Sequence, residues 1–145
     1  MGLSAQCSWA ERLGEILADA GYAVVCGGGG GVMEAVCRGA AGRGGHTIGV
    51  LPGEDPEEAN PWVSTAIVTG MGTSRNRIIA LSGSAAVAVG GSYGTLSEIA
   101  FALQAGRPVC GWGSWKDIPG VTPVSTPEEA LAFLVEKTGG TDAQR

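Results

Sequence analysis

The 145-residue chain has one histidine, His46, and four cysteines, Cys7, Cys26, Cys37 and Cys110, with no Cys-x-x-Cys pair among them. The ligand spacing of a zinc site is missing, so no metal centre is expected. Cys26 and Cys110 lie in apolar runs and read as small buried hydrophobes, which suits a reducing, cytoplasmic compartment. His46 stands in a glycine-rich loop and reads as a solvated loop residue. Basic residues are few: nine Lys and Arg against fourteen Asp and Glu, for a net charge of −5 and a pI near 4.8. That balance argues against a nucleic-acid groove or an anionic membrane surface as partner. No apolar run approaches the ~18 residues of a membrane span. Met1–Gln6 lacks the basic start and apolar stretch of an export signal. The G-x-x-x-x-G-K-[ST] loop of P-loop ATPases is absent, and a serine-nucleophile reading lacks its histidine partner, since His46 is the only histidine.

What the chain has in quantity is glycine, 26 residues, clustered after apolar runs. Periodic apolar segments separate the clusters, so this is turn chemistry and not low complexity. Ser8-Trp9-Ala10-Glu11 matches a capping box, and the stripe Leu13, Ile16, Leu17, Ala20 behind it predicts a helix ended by Gly21. Strands are expected at Tyr22–Cys26, Thr47–Leu51, Ala66–Val68, Ala85–Val89 and Pro108–Trp112. Helices are expected at Val32–Gly42, Arg75–Leu81 and Thr95–Ala105, with a last one opened by Thr126-Pro127-Glu128-Glu129. The alternation predicts an α/β fold: a Rossmann-like, three-layer, doubly wound parallel sheet in a single domain over residues 1–137, with residues 138–145 as a tail.

The stretch Ala85–Glu98 organises the functional reading. An apolar run suited to a strand buried on both faces leads into Gly90, Gly91 and Gly94 and then into a helix. Glycine lets the backbone turn sharply, and the helix start directs N–H groups and its positive dipole end at the same spot, which suits a phosphate. Gly27–Gly31 repeats this arrangement after an earlier strand, although it is not a strict G-x-G-x-x-G fingerprint. In a parallel sheet both turns, Pro52–Asp55 and Thr69–Arg77 fall on the carboxyl-end edge. Arg75 can hold a phosphate bidentately, while Arg77 reads as a helix-start residue paired with a surface carboxylate. Thr95-Leu96-Ser97-Glu98 fits a capping box with Thr95 as N-cap, and it equally fits a Glu98 that faces a ligand. A carboxylate beside an arginine and a phosphate seat suits cleavage of a sugar–base bond. The acidic run Glu54, Asp55, Glu57, Glu58 reads as a solvated loop, and no glycosidase-type carboxylate pair is evident.

Cys26-Gly27-Gly28-Gly29-Gly30-Gly31-Val32-Met33-Glu34, Gly49-Val50-Leu51-Pro52, Arg75-Asn76 and Gly90–Glu98 together resemble the Lonely Guy group, whose older members carried a lysine decarboxylase label. Gly31-Val32-Met33-Glu34-Ala35 and Thr73-Ser74-Arg75-Asn76 are most similar to the small bacterial branch that includes molybdenum-cofactor carrier proteins. The resemblance implies a homodimer or higher homo-oligomer, with a phosphorylated small molecule held at the glycine turns. Gly28, Gly29, Gly30, Gly31, Gly90, Gly91, Ser92, Tyr93, Gly94 and Thr95 would bind it. The ligand classes implied are a nucleotide monophosphate and the molybdenum cofactor. In the enzyme reading, a nucleoside 5′-monophosphate phosphoribohydrolase, Arg75 and Glu98 would be the catalytic pair. Gly90 stands where the family turn has proline, Ser92 where it has its second glycine, and Asn76 where it has lysine. These differences favour a carrier or sensor over the hydrolase. Nothing supports a decarboxylase, because no pyridoxal-binding lysine context is visible. Family members also open with a strand before the first helix. Met1–Cys7 is too short for one, so an incomplete sheet edge or an altered dimer is expected.

Overall fold

The computed structural model describes residues 2–113, 115 and 117–141. Five helices, α1 (Leu3–Asp19), α2 (Val32–Gly42), α3 (Asn76–Ser82), α4 (Tyr93–Gln104) and α5 (Pro127–Thr138), alternate with six strands. The strands are β1 (Val24–Cys26), β2 (Thr47–Leu51), β3 (Thr65–Val68), β4 (Ala86–Val89), β5 (Val109–Trp112) and β6 (Val121–Pro123). All pairings are parallel. The strands divide into two three-stranded sheets, ordered β1-β2-β3 and β4-β5-β6. The incompleteness expected at a sheet edge therefore lies in the middle, between β1 and β4.

Side chains along the strands alternate between two cores, as a sheet buried on both faces requires. Val87 and Val89 of β4 and Cys110 and Trp112 of β5 face one core, with Trp9, Leu13 and Leu17 of α1 and Phe133 and Leu134 of α5. Ala88 and Val109 face the other, with Ala80 of α3 and Ile99 and Ala102 of α4. Helices α1, α2 and α5 thus cover one face and α3 and α4 the opposite one, which makes three layers. Gly14 and Gly39 let α1 and α2 pack closely. A Cβ on either would lie 2.2 Å or less from a backbone oxygen of the other helix. Trp9 stacks on Trp112 with ring centroids 4.8 Å apart and planes 7° apart, and its indole N–H donates to the Ser125 carbonyl at 3.1 Å.

Helix α1 starts five residues ahead of the Ser8 capping box, at Leu3 behind Gly2, and Ser8 is an interior helical residue. Nothing in Leu3–Cys7 breaks a helix, so the helix runs past its internal box. The cap of α5 forms as read: Thr126 Oγ1 accepts from the Glu129 N–H at 3.1 Å, and Glu129 accepts in return from the Ser125 N–H at 2.7 Å. Of the residues assigned to a tail, Thr138 closes α5 and the Thr141 hydroxyl bonds the Ala20 carbonyl. Residues 142–145 lie outside the described residues. No helix among those described is long and apolar enough to cross a membrane.

Candidate functional site

The turn after β1 is held by residues from elsewhere in the chain. Gly28 has φ +75°, and a Cβ there would lie 2.7 Å from Leu51 Cδ2 and 3.2 Å from the Gly49 Cα, so backbone crosses backbone at this point. A Cβ on Gly27 would sit 2.7 Å from an Arg75 guanidinium nitrogen and 2.8 Å from the Met33 sulfur. The buried Asn60 donates from Nδ2 to the Gly29 carbonyl at 2.9 Å and to the Gly28 carbonyl at 3.4 Å. Its own backbone N–H donates to the Gly28 carbonyl at 2.8 Å. In a trans peptide unit the C=O and the following N–H point in opposite directions. With the Gly28 and Gly29 carbonyls turned to Asn60, the amides of Gly29 and Gly30 point away from it. Gly31 is the N-cap of α2 and supplies no side-chain cap, so the first-turn amides of α2 stay available.

The turn after β4 is held by its own helix and by Trp115, whose indole N–H donates to the Ser92 carbonyl at 3.1 Å. Gly90 has φ +70°, and a Cβ there would meet the Gln6 side-chain oxygen at 2.6 Å. Ser92 is the N-cap of α4, its Oγ accepting from the Thr95 N–H at 3.1 Å. The capping box read on Thr95 and Glu98 is therefore not formed: Thr95 lies inside the first turn and Glu98 one turn deeper. Ser92 is exposed and Thr95 half-buried, and their hydroxyls are 3.0 Å apart. Tyr93 is 85% exposed, its ring tilted against that of Trp115.

Glu98, relieved of a capping role, faces the space between the turns. Burial pushes its carboxyl up to about 7, and the nearby Arg75 charge pulls it partly back. Arg75 forms no ion pair with it among the described residues. Its Nε–H donates instead to the Val50 carbonyl at 2.9 Å, and a terminal N–H donates to Asn76 Oδ1. Asn76 is buried, and its Nδ2 donates to Ser97 Oγ at 3.0 Å, which ties Arg75 to the helix that carries Glu98. Asn60 escapes the sequence reading, because it acts through contacts distant in the chain and lies in no recognisable motif. The sequence marks Asn76 only as part of the Arg75-Asn76 motif, and its tie to Ser97 is not legible there. Arg77 is exposed and pairs with no carboxylate among the described residues, so the surface ion pair expected of it is not formed. The acidic residues 54, 55, 57 and 58 are exposed, and Asp55 caps a single 3-10 turn through the Glu57 N–H at 2.9 Å. His46 is exposed, 3.3 Å from the Thr65 hydroxyl. Cys26 and Cys37 bring their sulfurs within 3.6 Å behind the first turn. Their shared hydrogen bond and burial push the Cys26 thiol up, and the Cys26 partner lowers Cys37.

One cavity of about 1180 Å³ joins these parts. Arg75, Glu98, Gly30, Gly91, Ser92, Gly94 and Thr95 line it, whereas Gly28, Gly29, Gly31, Gly90 and Tyr93 shape or flank the turns without lining it. The two turns thus share one rim, with the guanidinium and the carboxyl between them.

This chain is 33% identical to the molybdenum cofactor binding protein of the phototrophic bacterium Rippkaea orientalis, with a TM-score of 0.86 over 90% of this chain and 86% of that one. It is 35% identical to the molybdenum cofactor carrier protein of Chlamydomonas reinhardtii, with a TM-score of 0.83 over 93% and 89% of the two chains. An uncharacterized protein of Archaeoglobus fulgidus is 40% identical over 129 residues, 89% of this chain and 85% of that protein. The resemblance drawn from the glycine turns and from Arg75-Asn76 agrees with these relatives. The family model that describes the SLOG cluster4 family matches residues 1–137, and the chain belongs to that family.

Proposed function

We propose that the protein binds a phosphorylated pterin cofactor, the molybdenum cofactor, as a carrier or sensor. The observation that carries this reading is the shared rim: two glycine turns and two helix starts converge on a single cavity beside Arg75. The amides of Gly29, Gly30 and the first turn of α2 supply donors for a phosphate, and Arg75 supplies the charge. Gly28, Gly31 and Gly90 provide the backbone geometry, while Gly91, Ser92, Gly94 and Thr95 form the facing wall and Tyr93 flanks it. Glu98 offers a polar group to the nitrogen-rich edge of the pterin. The likeness to proteins named for this cofactor supports the choice of ligand.

A thermal-shift comparison of molybdopterin, AMP and inorganic phosphate tests the reading. A ligand at a hundredfold excess over its Kd adds about 2.7 kcal/mol to stability. A clear rise in Tm with molybdopterin and little with AMP is the expected outcome. No response to molybdopterin overturns the reading.

The second reading, a phosphoribohydrolase, draws on one observation: a carboxyl held near pH 7 is poised for proton transfer at a sugar–base bond. It predicts adenine release from AMP that disappears in Glu98→Ala. Homodimerisation belongs to the same proposal. Strand β3 exposes Ile67 and Val68 at 45% and 44% on the sheet edge, and sedimentation measures the mass directly.

A further inference from the structure

Neither thiol behind the first turn has a part in the proposed binding. Cys26 ends β1, and Cys37 stands in the second turn of α2. The segment between them is the glycine turn with the start of α2. Their sulfurs are 3.6 Å apart and share a hydrogen bond. A disulfide has its sulfurs about 2.05 Å apart, so the two need to close by roughly 1.5 Å. Cys26, expected as a buried hydrophobe, is half-buried and lines the cavity together with Gly27, Gly30, Arg75 and Glu98. Cys37 is fully buried behind it. The pair therefore has an outer sulfur that a small molecule can reach and an inner one that it cannot.

The surroundings of the pair differ from those of an inert core cysteine. Cys110 is buried in β5, and burial pushes its thiol up to about 12, which keeps it protonated and unreactive. At Cys37 the hydrogen bond from Cys26 lowers the thiol, burial opposes this, and the Asn60 side chain adds to the lowering. Cys26 is raised by that same bond and by burial. One proton is thus held between the two sulfurs while the other leaves readily. When the shared proton crosses to Cys37, the charge stands on Cys26 at the cavity wall, and a thiolate is the reactive form. The Gly28 N–H also donates to Cys26 Sγ at 3.4 Å, which ties the outer sulfur to the turn itself.

We propose that Cys26 and Cys37 form a redox modification site, at which a hydroperoxide entering the cavity converts the two facing thiols into a disulfide. The Cys26 thiolate attacks the outer oxygen of the hydroperoxide. The O–O bond breaks, Cys26 becomes a sulfenic acid, and the released alkoxide or hydroxide leaves as alcohol or water with the proton that the thiol gave up. The Cys37 sulfur then attacks the Cys26 sulfur. The S–S bond forms, the S–O bond breaks, and the hydroxide leaves as water with the Cys37 proton. Two thiols lose two electrons, and the hydroperoxide is reduced to an alcohol, or to water, and a further water. The bond closes Gly27–Gly31 and the first turn of α2 into a short ring, so the amides offered to an anion become tied at both ends. The inference rests on the thiol pair alone and stands or falls separately from the choice of ligand.

The test is mass spectrometry of the whole protein after hydrogen peroxide, followed by denaturation, alkylation with iodoacetamide and cleavage with trypsin. Arg12 and Arg38 bound one tryptic peptide, Leu13–Arg38, which holds Cys26 and Cys37 and no other cysteine. The expected result is that this peptide loses the mass of two hydrogens and takes up no alkylating reagent, while Cys7 and Cys110 are alkylated as before. Dithiothreitol restores both thiols. Closing the ring restricts the unfolded chain, so the oxidised protein gains roughly 5–10 °C in Tm. In Cys37→Ser the sulfenic acid on Cys26 has no partner and is trapped by dimedone, which reports the order of attack. Should that variant fail to fold, the parent peptide decides alone. A peptide that keeps its mass, or that gains only oxygen at Met33 or at a cysteine, overturns the proposal. A disulfide from Cys26 to Cys7 or Cys110, or a Tm lowered by oxidation, overturns it as well.

Discussion

The turn after β1 is fastened by Asn60, Leu51 and Arg75 from three other segments, whereas the turn after β4 is fastened mainly by Ser92 at the start of its own helix, with one distant bond from the Trp115 indole. The first arrangement spends carbonyls on a distant side chain and leaves amides free. The second spends an amide on a local hydroxyl. Two turns that read alike in sequence therefore differ in what they offer an anion: the first is the stronger donor, and the second is the more self-sufficient piece of structure. Substitutions in the first turn should be felt through the fold and the ligand together, and those in the second should remain local.

The sharpest contrast is Gly28→Ala against Gly90→Ala. Both place a Cβ at positive φ, but at Gly28 it meets Leu51 and the Gly49 backbone, while at Gly90 it meets the movable end of Gln6. We expect a loss of about 2–4 kcal/mol at Gly28 and about 1–2 kcal/mol at Gly90 in urea unfolding. Equal losses would break the comparison. Asn60→Asp keeps the shape and removes the Nδ2–H donors from the two glycine carbonyls. It should cost about 1–3 kcal/mol and weaken ligand binding measured by calorimetry.

Glu98→Gln tests the ground between the turns. A carboxyl raised from its ordinary 4.5 to about 7 in the folded protein binds more protons there than in the unfolded chain. The stability it contributes is complete below pH 4.5 and is lost as the pH rises through 7. Glu98→Gln should therefore be more stable than the parent at pH 8, by about 1–2 kcal/mol after allowance for partial solvation, and equal to it at pH 4. The smallest effect on stability belongs to Ser92→Ala, about 1 kcal/mol for a lost cap in urea unfolding.

Much of this arrangement is legible in the residues. The bounds of α2 and β2 follow from glycine runs and a continuous apolar stretch, and both strand-to-glycine junctions fall on the expected edge. Strand β6 is hidden because Pro123 lacks a ladder donor and three residues show no alternation. The misplaced α4 start has a simple cause: Thr95 has the glutamate three residues on that a capping box calls for and Ser92 does not, yet Ser92 caps the helix with its hydroxyl alone. Arg75 and Glu98 are readable as chemistry, but their separation is not, because it depends on Asn76 drawing the guanidinium aside. The gap between the two sheets is likewise invisible in any single segment. It is a relation between β1 and β4, sixty residues apart in the chain.

The parallel indoles of Trp9 and Trp112 couple α1 to the end of β5 at near-contact distance. Two chromophores so close and so aligned exchange excitation. The folded protein should show an exciton band in near-ultraviolet circular dichroism and dimmed, mutually quenched emission. Any event that shifts α1 over the sheet would alter that signal, so the molecule carries its own optical gauge, with no dye or tag required.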